Sequence, residues 1–323
     1  MKLAGKTDVG RVLQDNQDDY RAGELPGDAA WLLVCDGMGG ARGGREASQS
    51  ACDVIERCFQ EQYASKCLPG EEETFLKKSL LSANRFVFQK ALREESLAGM
   101  GTTAVCALVR GGKVFLCHAG DSRAYLYRDG RLAQLTHDHS YVQELVDCGT
   151  ITEEEAEHHP QKNIITKALG VDYRLDSEFT TAPLQKGDIL LLCSDGLTNA
   201  VPREQLEQLL RTGRFYDLPD LLIRTANENG GPDNITALLL RVEAKRWMAC
   251  TRCGNSSAPA AWPMSTRPLW GRAARCRRAR SWPLRCCGRS SCTTLTLCAA
   301  SRTSPRPSRC STTPTSSRCM MSR

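Results

Sequence analysis

The chain has 323 residues, 41% of them hydrophobic, which is enough for one large domain or two small ones with a sizeable core. It opens with no basic and apolar leader, and no apolar run approaches the length of about 18 residues that a membrane helix needs. We therefore expect a cytoplasmic protein without a membrane partner. The net charge of +6 averages two unlike pieces: residues 1–245 carry 28 basic and 37 acidic residues, whereas residues 246–323 carry 15 arginines and no acidic residue.

The 17 cysteines divide in the same way, with eight before residue 246 and nine after it. Those of the first part, such as Cys35 and Cys193, stand singly inside apolar runs, which is typical of reduced and buried cysteines. We expect no disulfide framework. Cys250 and Cys253 form a CxxC motif, but no second pair follows at zinc-finger spacing, so the motif does not predict zinc.

The first predicted strand leads into "LLVCDGMGG" at residues 32–40, where an apolar run ends at a carboxylate and then at glycines. Residues 44–64 and 72–97 follow with apolar residues at helical spacing, and Pro69 and Gly70 separate them. Two long helices are therefore predicted after the glycine-rich turn.

From residue 102 the period changes to that of short strands: "TTAVCALVR", "KVFLCHAG", "RAYLYRDG" and "RLAQLT". Gly111-Gly112 and Asp129-Gly130 are typical of tight hairpin turns. The pattern predicts an antiparallel meander of four strands.

From residue 138 onward, helical and strand-like patterns alternate again. A polar and acidic segment with short helical patterns occupies residues 138–165, and "DILLLCSDGL" then repeats the device of an apolar strand that ends in Asp-Gly. Helices are predicted near 203–211 and 217–229, before the strand in "GGPDNITALLLRV". The order favours an α+β fold, a four-layer αββα sandwich of two antiparallel sheets flanked by helices.

Five carboxylates stand out because of where they lie. Asp36, Asp195 and Asp233 each meet a strand-like run at a glycine or turn boundary, Asp121 follows "HAG", and Asp18 lies in "DNQDDY". A single Asp-Gly pair at a strand end is more simply explained as an ordinary turn. Buried carboxylates that converge must be neutralised, paired or bound to cations, and an oxygen-only set favours Mg²⁺ or Mn²⁺ over zinc.

The ordered motifs "TDVG…NQDDY", "DGMGG", "GTTA", "AGDSRAY", "SDGL" and "PDNIT" resemble those of the bacterial metal-dependent type 2C Ser/Thr protein phosphatases. The resemblance covers residues 3 to about 243 and predicts a catalytic domain at residues 1–245. It implies hydrolysis of phosphoserine and phosphothreonine in proteins by a metal-activated water, which attacks phosphorus in line without a phospho-enzyme.

The resemblance also implies a ligand set for two core ions, Mn²⁺ or Mg²⁺. In the family the aspartate that matches Asp36 bridges both ions, and the carbonyl that matches Gly37 faces one of them. Asp195 and Asp233 match the residues that complete the first ion. Asp36, Asp195 and Asp233 are therefore the predicted catalytic residues.

Further ligands follow from the same resemblance. The pair that matches Gln17 and Asp18 supports the second ion through water. Asp121 matches the residue that, with the counterpart of Asp195, holds a third ion in bacterial members.

Two positions depart from the family pattern. Leu13 stands where the family has a phosphate-binding arginine, and we expect Arg11, two residues earlier on the same face of a strand, to replace it. An ordinary surface arginine is the alternative. Met38 replaces the histidine of eukaryotic members and cannot donate a proton, so the resemblance leaves metal-bound water to protonate the leaving oxygen.

His137 and His139 are predicted to be surface or packing residues, and residues 138–165 match the variable flap beside the active site.

Residues 246–323 differ from everything before them, with no lysine, no acidic residue and nine cysteines. Read with the third base of each codon joined to the first two bases of the next, "GNSSAPAAWPMSTRP" permits ELIG(S/T)GGMANVYKA. "RSWPLRCC" permits VVAVKVL, and "STTPTSSRCMMSR" permits NHPNIVKVYDVS. These resemble, in order, the Gly-rich loop, the lysine strand and the next strand of a protein kinase. We expect a disordered tail, produced by a frameshift into an adjacent Ser/Thr kinase gene.

The predicted partners are therefore phosphorylated proteins and that kinase, and the predicted state is a monomer without a nucleic-acid partner. Two alternatives remain. A non-catalytic relative that binds phosphoproteins would explain the loss of arginine at Leu13, although it would not need the costly carboxylates Asp36, Asp195 and Asp233. A nucleic-acid-binding protein would depend wholly on the basic tail.

Overall fold

The computed structural model describes residues 1–243. The prediction of a disordered tail at residues 246–323 lies outside the described residues. Within residues 1–243, every helix is too short or too polar to span a bilayer.

Eleven strands form two antiparallel sheets in this part of the chain. In chain order they are β1 (Lys2–Asp8), β2 (Asp18–Leu25), β3 (Ala29–Met38), β4 (Gly101–Thr102), β5 (Ala104–Arg110), β6 (Lys113–Ala119), β7 (Arg123–Arg128), β8 (Arg131–Gln134), β9 (Glu178–Pro183), β10 (Ile189–Cys193) and β11 (Ile235–Arg241). One sheet has the order β1-β11-β10-β7-β8, and the other has the order β2-β3-β5-β6-β9 with β4 paired to β3.

The described residues form seven α-helices. They are α1 (Gly40–Lys66), α2 (Glu72–Arg93), α3 (Tyr141–Asp147), α4 (Glu153–Glu157), α5 (Asp195–Ala200), α6 (Arg203–Thr212) and α7 (Leu218–Glu228). Helices α1 and α2 pack on the β2–β9 sheet, whereas α5, α6 and α7 pack on the β1–β8 sheet. The predicted four-layer αββα sandwich is confirmed.

The alternation of side chains along the strands explains the layers. Strand β3 is apolar on both faces, so Leu33 packs toward α1 and α2 while Leu32 and Val34 pack between the two sheets. On the helix side, the rings of Trp31 and Phe59 stack with centroids 4.6 Å apart. Because β3 is buried from both sides, the carboxylate near its end is fixed between the two sheets.

The predicted helices and hairpin turns are present, with shifted ends. Gly111, Gly112, Asp129 and Gly130 all have positive φ angles, as tight two-residue hairpin turns require. The helix predicted at 72–97 ends earlier, at Arg93, and a short 3₁₀ turn follows it.

The predicted four-stranded meander is wrong. Strands β5 and β6 pair in one sheet, whereas β7 and β8 pair in the other. The chain crosses between the sheets at Gly120, which has a φ of 112°, and a Cβ there would lie 2.6 Å from the side chain of Thr103. A glycine is required at this crossing, and Asp121 follows it directly.

Candidate metal centre

The two sheets bring the five predicted carboxylates to one end of the sandwich. Asp18 opens β2 and lies directly opposite Asp36 of β3 in the strand register. Asp195 begins α5 after β10, Asp233 lies just before β11, and Asp121 follows β6. Asp18 and Asp233 are 215 positions apart in the sequence, yet they lie close enough that the charge of Asp233 helps to raise the pKa of Asp18.

The ionisation of Asp18 and Asp36 is strongly disfavoured. Burial raises the pKa of Asp18 to about 7, and the charges of Asp195 and Asp233 add to the shift, while hydrogen bonds oppose it. Burial and then the charge of Asp18 raise the pKa of Asp36 well above its usual value. Carboxylates in this position need positive charge to remain ionised.

Asp121 and Asp195 show the same effect. Burial raises the pKa of Asp121 to about 7, with a further contribution from the charge of Asp195. Burial and the charge of Asp233 also raise the pKa of Asp195, and a hydrogen bond with Asp36 opposes that shift. The four perturbed groups thus form one electrostatic cluster.

Three oxygens of this cluster are buried and have no hydrogen-bond partner within residues 1–243: Oδ1 of Asp18, Asp121 and Asp195. Buried carboxylate oxygens are costly when they remain unpaired. Divalent cations with oxygen ligands would satisfy them and balance the clustered charge, so the donor set fits Mn²⁺ or Mg²⁺.

The backbone around Asp36 is held by Thr103. The amide of Asp36 donates to Oγ1 of Thr103 across 3.0 Å, and the amide of Thr103 donates to the carbonyl of Asp36 across 2.8 Å. Oγ1 of Thr103 also lies 2.7 Å from the hydroxyl oxygen of Ser122. Thr103 therefore ties Asp36 to the segment that carries Asp121.

Two hydroxyl groups hold Asp18. Ser194 donates across 2.7 Å and Thr236 across 2.6 Å to the same carboxylate oxygen, Oδ2. This leaves Oδ1 of Asp18 free. Sequence reasoning missed both residues as functional, although each belongs to a quoted motif, "SDGL" or "PDNIT".

Asn234 organises the loop that precedes Asp18. Its Oδ1 accepts from the amide of Gln17 at 2.8 Å, and its Nδ2 donates to the carbonyls of Val9 at 2.9 Å and Asp15 at 3.1 Å. The neighbour of Asp233 thus closes the loop 9–17 against the carboxylate cluster. This role also escaped the sequence analysis.

Gln17 reaches the predicted metal-facing carbonyl. In the amide orientation that satisfies its donors, the Gln17 nitrogen donates to the carbonyls of Gly40 at 3.0 Å and Gly37 at 3.2 Å. A Cβ on Gly37 would lie 2.1 Å from the carbonyl oxygen of Gly44, so the close approach of these backbones requires glycine. The structure therefore brings Gln17 and Gly37 together beside Asp36.

Arg11 does not lie on a strand, so the strand spacing used to relate it to Leu13 is wrong. Strand β1 ends at Asp8, and the loop that follows is shaped by Asn234. Arg11 is exposed, and its amide donates to the carbonyl of Gly231 across 2.8 Å, two residues before Asp233. Phosphate binding by the Arg11 side chain stays a prediction.

An ion pair attaches the flap to the segment of Asp121. The guanidinium of Arg123 forms two hydrogen bonds to Oδ2 of the buried Asp138, at 2.8 and 2.6 Å. The predicted flap begins at this aspartate, so residues 138–165 are fixed at their first residue close to the cluster. Of the two histidines beside it, His137 is exposed and His139 is buried, as predicted for surface and packing positions.

Comparisons with known proteins agree with this geometry. The sequence profile described as "Protein phosphatase 2C" matches residues 11–240. The chain belongs to the protein phosphatase 2C family. It is 41% identical over 237 residues to the serine/threonine phosphatase Stp of Listeria monocytogenes, a match that covers 73% of this chain and 93% of that protein.

Solved structures give the same result. The serine/threonine phosphatase of S. agalactiae has 34% identity and a TM-score of 0.71, over 75% of this chain and 99% of that one. The catalytic domain of the phosphatase PstP in complex with two manganese ions has 34% identity and a TM-score of 0.66, over 75% and 98% of the two chains. The predicted family, fold and enzyme class, a metal-dependent protein serine/threonine phosphatase, are confirmed.

Proposed function

We propose that residues 1–245 hydrolyse phosphoserine and phosphothreonine in proteins, with two core Mn²⁺ or Mg²⁺ ions and a third ion. The core ions would be held by Asp36, the carbonyl of Gly37, Asp195 and Asp233, with Asp18 in support. Asp121 would hold the third ion. The observation that carries this proposal is the set of buried carboxylate oxygens without partners at one end of the sandwich.

When bound, such ions activate a water molecule and neutralise the phosphoryl oxygens. The protein's part is to keep its carboxylates in place and ionised. Thr103 fixes the backbone of Asp36, while Ser194 and Thr236 hold Asp18 by one oxygen. Their geometry exists before any substrate arrives, so little reorganisation accompanies the reaction.

A thiol nucleophile is not needed by this chemistry and is not supported by the cysteines nearest the carboxylates. Cys35 and Cys193 are fully buried. Burial raises the pKa of Cys193 to about 12, so its thiol stays protonated at neutral pH. The free thiols of residues 1–243 are consistent with a reducing, cytoplasmic location.

Hydrolysis of p-nitrophenyl phosphate and of a phosphothreonine peptide, with and without Mn²⁺, tests the proposal. We expect Asp36→Asn, Asp195→Asn and Asp233→Asn each to abolish the Mn²⁺-stimulated rate while circular dichroism stays unchanged. Asp220→Asn is the matched control, because Asp220 is exposed on α7 and pairs with Lys6. Turnover near the wild-type rate in any of the three variants would contradict the assignment.

The non-catalytic alternative keeps one observation in its favour, the leucine at position 13, whose side chain is exposed. It predicts binding of a phosphopeptide without turnover, in the presence of Mn²⁺. The same assay therefore separates the two functions.

We further propose that the physiological partner is a Ser/Thr kinase encoded beside this gene. The support is the kinase-like reading of residues 254–323 in the shifted frame. Sequencing the gene around the codon for Arg246 tests it, and we expect an inserted or missing base, or a stop codon close to an overlapping kinase frame. An unambiguous sequence that encodes the tail as written, with no kinase frame across it, would overturn this inference. The predicted monomeric state stays a prediction.

A further inference from the structure

A second group of metal-ligating side chains contains none of the five carboxylates. His118 on β6, His139 and Glu178 on β9 each offer a ligand atom, and these three atoms lie within 4.8 Å of one another. The two imidazole rings stack with centroids 4.7 Å apart and planes 8° apart. Both histidines are buried, whereas 43% of the Glu178 side chain is exposed.

The hydrogen bonds of His118 define which of its nitrogens is available. Nε2 lies 2.7 Å from the carbonyl of His137, so Nε2 must carry the proton. Nδ1 is then a bare acceptor, and it is buried without a partner among the described residues. An imidazole nitrogen with a free lone pair in this position is ready to bind a metal ion.

His139 has the complementary arrangement. Its Nδ1 accepts from the amide of Gly120 across 3.2 Å, so its proton lies on Nε2. Nε2 lies 3.5 Å from Oε2 of Glu178 and makes no hydrogen bond within residues 1–243. The partly exposed carboxylate gives this otherwise buried pair a side that is open to solvent.

We propose that His118 Nδ1, His139 Nε2 and the Glu178 carboxylate form an accessory site for a divalent transition ion such as Zn²⁺. Two imidazoles and a carboxylate, with water as a fourth ligand, suit zinc better than they suit Mn²⁺ or Mg²⁺. Tetrahedral zinc with Zn–N bonds of about 2.0–2.1 Å separates its ligand atoms by about 3.4 Å. The ligand atoms must therefore draw closer together, and the two rings must tilt out of their stack.

Zinc at this site has a consequence for the metal centre. To bind through Nε2, a neutral His139 must move its proton to Nδ1, which then faces the amide proton of Gly120. The hydrogen bond from Gly120 is lost, and Gly120 directly precedes Asp121. The His139 backbone amide also donates to the carbonyl of Gly120 at 3.0 Å, so His139 contacts Gly120 at two points. A movement of the His139 ring therefore acts on the segment that leads into Asp121.

Histidine nitrogen NMR on the full chain, labelled with ¹⁵N-histidine, tests the site. The chain has five histidines, all before residue 160, so each ring can be followed. Mg²⁺ at saturation first fills the carboxylate centre, and Zn²⁺ is then added in excess of the cysteine thiols. We expect Nδ1 of His118 and Nε2 of His139 to move to metal-bound positions, with a change of tautomer in His139.

Two variants provide the control. Glu178→Gln removes the carboxylate ligand, and we expect it to weaken the zinc-dependent shifts of His118 and His139 at least about tenfold. Asp176→Asn removes a neighbouring exposed charge that pairs with Lys167, and we expect it to leave the zinc affinity unchanged. The proposal is overturned if the His118 and His139 resonances stay in place under excess Zn²⁺, or if both variants weaken the shifts equally.

Discussion

Thr236 donates its hydroxyl proton to Oδ2 of Asp18 across 2.6 Å, and it does so from the strand that follows Asp233. The carboxylate on β2 is thereby oriented from the opposite sheet. Thr236 also lies 2.8 Å from the hydroxyl of Thr7, which accepts from Asn16 at 2.8 Å. A continuous chain of hydrogen bonds therefore reaches Asp18 from the edge of the sandwich.

Replacement of Thr236 tests this orientation. Thr236→Val keeps the shape of a fully buried side chain but removes the hydroxyl, so we expect the Mn²⁺ concentration for half-maximal activity to rise about tenfold. Thr236→Ser keeps the hydroxyl and should stay within about twofold of the wild type. An equal effect of both variants would indicate a packing defect instead.

Asp121→Ala separates the third ion from the core pair. Asp121 has an unpartnered oxygen, and we expect it to touch the third ion alone, so the variant should retain two bound Mn²⁺ ions and lose most of its turnover. Calorimetry with Mn²⁺, read beside the rate of p-nitrophenyl phosphate hydrolysis, checks both parts. Loss of all metal binding would contradict this division of the ligands.

The phosphate-binding role of Arg11 predicts a distinct kinetic change. Arg11→Ala removes an exposed guanidinium beside the Asp233 loop, and we expect KM for p-nitrophenyl phosphate to rise about tenfold with a smaller fall in kcat, as for lost ground-state binding. Leu13→Arg in that background should partly restore the affinity. Unchanged kinetics in Arg11→Ala would leave phosphate binding to other groups.

The sequence predicted the layers and the carboxylates because both depend on local patterns. Apolar runs that end in Asp-Gly pointed to Asp36 and Asp195, and one Gly-Gly and one Asp-Gly pair predicted the hairpin turns. The crossing at Gly120 could not be predicted, because it depends on the contact with Thr103, which is distant in sequence. The role of Asn234 was hidden for the same reason, since its three partners in loop 9–17 lie more than 200 residues away.

Removal of the metal ions should destabilise the protein more as the pH rises. Burial raises the pKa of both Asp18 and Asp121 from 3.8 to about 7 in the metal-free fold. The folded chain therefore binds more protons than the unfolded chain between these two pH values. The stability that these protons contribute to the metal-free fold is present in full below about pH 4, and it is lost as the pH rises through 7. Divalent ions replace those protons, so their contribution to stability grows over the same range.

We therefore expect the difference in Tm between the Mn²⁺-loaded and the EDTA-treated protein to be larger at about pH 8 than at about pH 6, by about 3 °C or more. Differential scanning calorimetry at both values measures it. Asp18→Asn removes one of the carboxylates whose pKa burial raises and should reduce the pH dependence, whereas Asp220→Asn, on the exposed face of α7, should leave it unchanged. A Tm difference that is equal at both pH values would show that the ions do not compete with protons for these carboxylates.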